Sequence, residues 1–577
     1  MSNQVILQDC QGERWLRFSD PRKIFVAHHH DQVLPKLALV EKLVNERGLF
    51  AAGFISYEAA PAFDRALKVR QAGVCPLLWF GLYDAPQEIE PPQGAYSYSI
   101  GEWSPSINWD EYKHAIDSIK ELIATGNTYQ VNFTFRLWAA FQGDPWGLFV
   151  DLIRAQEADF TAYVDIGPVA ICSASPELFF ELRGNSLMAR PMKGTAPRGL
   201  TWSQDQIQKD WLYHSEKNRA ENVMIVDMIR NDIGRVCEIG SVCVPQLFEV
   251  EQYPTLWQMT STVVGETRAP VANIMEALFP CSSITGAPKV STMQIISDLE
   301  SQPRNVYTGC IGYIAPNRNS QFNVAIRTVL VDKKRKLAEY GVGGGIVWDS
   351  GTIDEYEECR TKARILFESR PAFRLLESFL WEPEKGYFLL EEHLRRLSSS
   401  AKYFGFDLDI DKVRLELTNF GHKQPAGSCK VRLLLDKNGG MELEAEKLGA
   451  IESIKVGLAA NPIDPKDVFL YHKTTRRQVY EEALASRPDC EDVILWNASG
   501  EITEASSANI IIKSEGGLLT PPVTSGLLPG TFRDQLLAEK KIHEHVITIE
   551  DLWQSEAIYL INSVRKWREA KLIPLGV

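Results

Sequence analysis

The sequence predicts a mixed α/β (α+β) protein built from more than one domain, and three observations carry that prediction. Strand-like runs rich in β-branched and aromatic residues, such as "TAYVDIGPVAICSA", "NSLMARPMKG" and "FNVAIRTVLV", alternate with helix-periodic stretches such as "AENVMIVDMIRNDIG". A length of 577 residues exceeds one ordinary core and, at roughly 150 residues per domain, predicts about two to four units. Around "ILFESRPAFRLLESFL" a helix-like pattern ends, Pro371 interrupts it and a strand-like run begins, which places a boundary near Arg370 and domains over residues 1–368 and 372–577.

Composition narrows the class. With 45% apolar and 24% charged residues the chain reads as soluble and globular. A formal net charge of -13 repels nucleic acid, so an anionic ligand needs local cations. The ten cysteines include no Cys-x-x-Cys pair, which argues against a disulfide scaffold or zinc ribbon and predicts a reducing, cytoplasmic setting. The amino terminus does not resemble a signal peptide, and no apolar window is long enough for a membrane span. No short-period repeat points to a solenoid. At the cluster His28, His29, His30, neighbouring side chains of an extended segment point to opposite faces, which disfavours a metal site.

Along the first half, individual motifs leave two readings each. In "RPMKGTAPRG", Lys193 sits in a turn bounded by proline and glycine, either as a solvated charge or as an amine held for attack. In "GTIDEYEECRTKARIL", a helix puts Glu355, Glu358 and Lys362 along one face, where two carboxylates could share a hard cation. The alternative is a solvated helix start with a Thr352–Glu355 capping box. "GVGGGIV" lacks the spacing of a dinucleotide fingerprint and can equally be a bulge or turn.

Taken together, "GNTYQVNFT", "SASPELFF", "RPMKGTAPRG", "RAENVMIVDMIRNDIGRV", "SSITGAPKVSTMQIISDLE", "TGCIGY", "AIRT" and "GVGGGIVWDSGTIDEYEE" resemble the chorismate-utilising enzymes over most of residues 1–368. The resemblance implies a large sandwich with its site between two antiparallel sheets. It implies Mg2+ held by Glu221, Glu355 and Glu358, and chorismate, a dicarboxylate, as substrate. Arg327 and Lys289 become candidates for its carboxylates, joined by Thr195, Lys362 and the backbone near Gly286 and of Gly343–Gly345, Gly344 among them.

In relatives that act at ring carbon 2, the position of Lys193 is typically a small residue. A lysine there could itself attack carbon 2 as the carbon-4 hydroxyl leaves, after which ammonia attacks carbon 4 and expels the lysine. Glu177 matches the family's acid, which protonates the departing hydroxyl, and Lys193 must be neutral. Gln258 replaces a histidine common in relatives and is read as a positioning hydrogen-bonder, with Ser261 retained. Cys281 and Ser282 stand where glycines are common. Cys310 of "TGCIGY" lacks the elbow spacing of a glutaminase nucleophile and reads as buried and structural, so a glutaminase subunit that supplies ammonia would be a separate chain.

The second half resembles the class IV aminotransferase group through "LLEEHLRRLSSSAKYFGF", "HKTTRRQVYEEAL", "GEITEASSANIII" and "SGLLPGTFRDQLL". That family binds pyridoxal 5'-phosphate, which needs an amine, an acid for the ring nitrogen and a phosphate cradle. Lys473 matches the amine, Glu504 the acid and Arg396 the phosphate arginine, with Ser506, Ser507, Gly530 and Thr531 to complete the cradle through hydroxyls and amides. Phe532 replaces a phosphate-contacting threonine, and Ser378 could help protonate a leaving enolpyruvyl group. The two halves together imply amination of chorismate at carbon 4 followed by pyruvate elimination to 4-aminobenzoate. Two rivals remain: an anthranilate synthase large subunit fused to an aminotransferase, against which Lys193 argues, and a second half that is a non-catalytic interaction module.

Overall fold

The computed structural model describes residues 3–9, 14–94, 96–367, 372–424, 427–449 and 453–574. The chain divides into two compact units, Met1–Arg198 with Gln208–Arg370, and Gly199–Ile207 with Pro371–Val577. The boundary expected near Arg370 lies outside the described residues.

The first unit is built on two sheets. One has 11 strands, with Gln130–Gly143, Leu337–Ile346, Thr328–Asp332, Val169–Ser175, Phe160–Asp165 and Gln4–Asp9 as its spine. The other has 10 strands, running through Leu256–Glu266, Ser186–Arg190, Leu178–Arg183, Asn319–Val324, Cys310–Ala315 and Phe50–Ile55. Neighbouring strands along both spines pair antiparallel.

Local chemistry explains the elements. In "TAYVDIGPVAICSA" two fully buried strands meet at Gly167, whose φ of +98° suits glycine and whose N–H reaches Asp165 Oδ1 at 2.9 Å. Helix Trp109–Ala124 starts on a capping box between Asn108 and Glu111. Val5, Phe18, Ile171 and Leu330 of the larger sheet pack with Phe54, Trp79 and Ile311 of the other, so the sheets face one another across an apolar layer. Helices close the outer faces: Glu216–Gly234 packs Ile225, Ile229 and Ile233 onto the smaller sheet, and Trp109–Ala124 packs Ile116 and Ile119 onto the larger.

Two sequence readings change here. Lys193 is not in a turn but on strand Met192–Pro197, where a register shift against Leu256–Glu266 and a φ of +95° at Gly194 bend the strand. "FNVAIRTVLV" is two strands, broken at Arg327, whose φ is 50°. His30 begins helix His30–Arg47, and its ring bonds the Glu58 carbonyl at 2.9 Å.

The second unit has a four-stranded antiparallel sheet of Gly386–Tyr387, Leu375–Glu382, Cys429–Leu435 and Met441–Lys447, packed against helices Leu390–Phe404 and Ile410–His422. An eight-stranded mixed sheet follows, in which Ile454–Leu458 runs parallel to both Asp492–Trp496 and Lys566–Leu572. Among the described residues no helix is long and apolar enough to cross a membrane.

Candidate functional site

The break at Arg327, the bent strand Met192–Pro197 and helix Thr352–Ala363 bring side chains from both sheets of the first unit to one cavity. Glu177, Lys193, Thr195, Glu221, Arg327, Glu355, Glu358 and Lys362 all line it.

Glu177 is buried and accepts from Ser283 Oγ at 2.6 Å; burial pushes its pKa up to about 7, against the opposing pull of that hydrogen bond and of Lys193. Burial likewise pushes the Lys193 amine below its ordinary range, while Glu221 opposes the shift and Lys362 adds to it. One wall of the cavity beside Lys193 is Gly345: a Cβ there would collide with the Gln130 side-chain amide and come within 2.6 Å of Lys193 Nζ. Gln258 donates to the Gly194 carbonyl at 2.8 Å and accepts weakly from Thr195, so it holds the backbone beside the lysine. Ser261 Oγ bonds Asn222 at 2.6 Å. Arg327 is only 6% exposed, its Nη1 has no hydrogen-bond partner, and burial lowers its pKa. A buried, unanswered guanidinium nitrogen at a cavity wall is a ready carboxylate receptor.

On helix Thr352–Ala363 the capping box does not form. Gly351 is the N-cap, and Glu355 turns inward to accept from Ser350 Oγ at 2.6 Å. Lys362 Nζ lies 2.7 Å from Glu358 and 3.0 Å from the Gly343 carbonyl, and Lys217 Nζ lies 3.8 Å from Glu355. Burial first, and then Glu358, push the Glu355 pKa up; burial also opposes ionised Glu358, but Lys362 outweighs it and holds that carboxyl low.

Among the described residues no three His, Cys, Asp or Glu side chains are grouped closely enough to hold a metal. The expected Glu221, Glu355 and Glu358 line one cavity but are not drawn together as a ligand set, and lysine ammonium groups lie near two of them, Lys362 at Glu358 and Lys217 at Glu355. The donor chemistry still fits Mg2+, since hard carboxylate oxygens line one cavity; Lys362 would have to release Glu358.

Other expectations fail. Lys289 does not line the cavity; its ammonium lies 3.1 Å from Asp232 and 3.4 Å from the Leu278 carbonyl. At Gly286, with a φ of +138°, an added Cβ would collide with the Gln130 carbonyl, so glycine serves close backbone approach there. Gly344 is not itself in the lining, but a Cβ there would sit 3.1 Å from Glu355 Oε2 and 3.9 Å from Lys362 Nζ, both of which are. Ser282 donates to Asp232 at 2.7 Å and Cys281 contacts Ser283 at 3.2 Å, both outside the lining. Cys310, by contrast, is fully buried in its strand, as expected of a structural residue.

Lys217, Ser283, Tyr307 and Tyr340 line the cavity without having been singled out. Lys217 stands four residues before Glu221 on helix Glu216–Gly234, a spacing that could have flagged it.

In the second unit Ser378, Arg396, Lys473, Glu504, Ser506, Ser507, Gly530 and Thr531 line a single cavity. Burial, reinforced by Arg396, pushes the Lys473 amine down to about 8. Glu504 accepts from Tyr480 OH at 2.7 Å and from the Leu528 N–H at 3.1 Å, and burial pushes its pKa up to about 7. Gly530 caps helix Thr531–Ala538, where Phe532 packs into an apolar cluster with Leu536 and Ile511. The serines differ from expectation: Ser506 Oγ and Ser507 Oγ each donate to Asp492 at 2.5 Å, which commits their protons and leaves neither hydroxyl as a free phosphate donor. Lys430, Arg432 and Arg568 add further cations to the wall. A lysine of lowered pKa, a buried carboxylate and an arginine beside a helix N-terminus fit pyridoxal phosphate.

Residues 87–368 match the family model described as chorismate binding enzyme, and residues 374–573 match amino-transferase class IV. The chain thus carries a chorismate-binding domain followed by a class IV aminotransferase domain. Both are families of enzymes, and the second implies pyridoxal phosphate.

Aminodeoxychorismate synthase component 1 of Klebsiella aerogenes is 40% identical over 296 residues, covering 50% of this chain and 65% of that protein. Its namesake in Escherichia coli (strain K12) is 40% identical over 268 residues, covering 46% of this chain and 59% of the relative. The chain thus spans less than two thirds of these relatives. The crystal structure of anthranilate synthase component I from Streptococcus pneumoniae TIGR4 superposes with a TM-score of 0.54 at 22% identity, covering 63% of this chain and 91% of that one, a likeness of fold alone.

Proposed function

We propose that the chorismate-binding half aminates chorismate at carbon 4 and that the aminotransferase half removes pyruvate from the product to leave 4-aminobenzoate. The observation that carries this reading is the presence of Lys193 and Glu177 in the lining of one cavity together with Arg327, whose Nη1 has no hydrogen-bond partner. The neutral Lys193 amine attacks carbon 2, the ring double bond shifts, and the carbon-4 hydroxyl leaves as water with the proton of Glu177. Ammonia then attacks carbon 4, the double bond shifts back, and the lysine amine departs. The nitrogen nucleophile therefore ends on carbon 4 although the enzyme's own amine entered at carbon 2.

Arg327 and Lys362 hold the substrate carboxylates. Glu221, Glu355 and Glu358 would hold Mg2+, which supplies positive charge for a carboxylate and, with burial, favours neutral Lys193. A separate glutaminase chain supplies ammonia.

In the second half pyridoxal phosphate, when bound, supplies an electron-withdrawing ring next to the carbon that loses its proton. Lys473 Nζ takes that proton from carbon 4, Glu504 keeps the ring nitrogen of the cofactor protonated, and Ser378 delivers a proton towards the departing enolpyruvyl group. Arg396 with the amides at Gly530 and Thr531 grips the phosphate.

The test incubates the full chain with chorismate, Mg2+, ammonium and pyridoxal phosphate and separates the products by chromatography. The expected products are 4-aminobenzoate and pyruvate, with aminodeoxychorismate accumulating when the cofactor is withheld. Anthranilate as the product would refute the first step; aminodeoxychorismate that persists despite cofactor would refute the second.

A further inference from the structure

Glu377 is a carboxylate, 1% exposed, on a strand face that is otherwise apolar. Along Leu375–Glu382 its neighbours on that face, Leu375, Phe379 and Trp381, pack into the core with Leu394, Leu397 and Leu417, whereas the adjacent Ser378 lines the cofactor cavity. A charge buried on a core face is costly unless each of its oxygens is answered.

Both oxygens are answered, and by residues of the cradle. Arg396 Nε lies 2.9 Å from Oε1 and Arg396 Nη2 2.7 Å from Oε2, a two-pronged pairing. His393 Nδ1 lies 2.7 Å from Oε2, and its Nε2 lies 3.3 Å from Thr531 Oγ1. Arg396 Nη1 donates to the Pro529 carbonyl at 3.2 Å. Of the five N–H groups of a guanidinium, three are thus committed, and one on each terminal nitrogen remains for the cavity that Arg396 lines. The link through His393 fixes the side chain of Thr531 at the first residue of helix Thr531–Ala538. One buried carboxylate therefore sets the orientation of a cationic and a helix-terminal element of the same wall. Arg396 and Ser378 approach that wall from opposite faces of the strand that carries Glu377.

We propose that Glu377 is the positioning residue of the phosphate cradle: it aims Arg396 directly, and Thr531 through His393, at the phosphate ester of a pyridoxal-type cofactor. This rests on the reading of the second half as a pyridoxal phosphate site. Glu377 touches neither cofactor nor substrate, so its effect is confined to ligands that carry the phosphate.

The experiment titrates the full-length chain, freed of cofactor, with pyridoxal phosphate and separately with pyridoxal, which has the same aldehyde and ring but no phosphate. Affinities are read from the visible absorbance of the bound form. Glu377→Gln is expected to weaken pyridoxal phosphate by about tenfold or more and to leave pyridoxal within about twofold. His393→Gln is expected to show the same selectivity at about threefold, and Glu377→Asp to fall between wild type and Glu377→Gln.

Equal losses for both ligands, or unchanged or tighter binding of pyridoxal phosphate, would overturn the assignment. If circular dichroism and thermal melting show that Glu377→Gln does not fold, Glu377→Asp and His393→Gln carry the same test. A wild-type chain that does not prefer the phosphorylated ligand refutes the cofactor reading itself, a result distinct from failure of the positioning role.

Discussion

Each half of the molecule sets a lysine of lowered pKa into a cavity, and the surroundings of the two lysines differ in charge. Lys193 shares its cavity with Glu177, Glu221, Glu355 and Glu358 on one side of the balance and Lys217, Arg327 and Lys362 on the other. Lys473 shares its cavity with Arg396, Lys430, Arg432, Arg477, Arg565 and Arg568 against Glu446 and Glu504. Burial is the leading cause of the shift in both. The difference teaches that a free amine can be produced in either setting, while the surplus of one sign selects what else enters. A balanced, carboxylate-rich wall suits a cation together with an anionic substrate, and a cationic wall suits a phosphate together with an anionic substrate.

Exchanging the lysines one at a time is the strongest way to break the comparison. Lys193→Ala is expected to lower carbon-4 amination by on the order of 10³-fold or more while pyruvate release from supplied aminodeoxychorismate is unchanged, and Lys473→Ala to do the reverse. Chromatography of both products checks it, and coupled losses would show that the cavities do not act separately.

Next in size is Glu177→Gln, which removes the acid but keeps the shape and should slow amination by about 10²–10⁴-fold with little change in chorismate KM. Gly345→Ala should lower the amination rate by about 10²-fold, because the new methyl group collides with the Gln130 amide and crowds Lys193 Nζ. Single-turnover kinetics with saturating ammonium would read it.

The two settings also predict different pH responses. Glu177 is raised from 4.5 to about 7, so the acid keeps its proton below that value, and the loss of that proton should limit amination as pH rises through about 7, opposing the gain from neutral Lys193. Lys473 is lowered from 10.5 to about 8, so its amine is charged below that value, and the rate of pyridoxal phosphate capture by the cofactor-free chain should rise with pH through about 8. Rate profiles that climb alike above about pH 7 would refute one of the two assignments. The smallest expected effect is that of Tyr480→Phe, which removes one hydrogen bond to Glu504 and should weaken cofactor binding by about 1 kcal/mol, roughly fivefold, in an absorbance titration.

The mixed fold was legible because alternating apolar runs and helix-periodic stretches are local signals. Phe160–Asp165, Val169–Ser175 and Glu216–Gly234 follow them closely. Spacing also found that Glu355, Glu358 and Lys362 share one helix face, since three- and four-residue steps fix a face without knowledge of what it meets, but it left open whether that face is solvated. Partners were not legible. Nothing near Lys289 announces that Asp232, 57 residues earlier, takes its charge, and nothing near Ser506 announces Asp492. The strand at Lys193 was misread as a turn because proline and glycine tolerated at a bulged strand carry the same local signature as a loop. Glu377 was passed over because a single carboxylate in an apolar run gives no sign of being held on both oxygens.

The backbone at Arg327 turns left-handed, which few residues other than glycine do readily, and that contortion swings a guanidinium inward with one nitrogen unmatched. Such a nitrogen acts as a toll on whatever enters. Under the proposed reading, a ring lacking the acid group would strip the local solvent and return nothing for it, so this backbone turn would contribute to discrimination against neutral look-alikes.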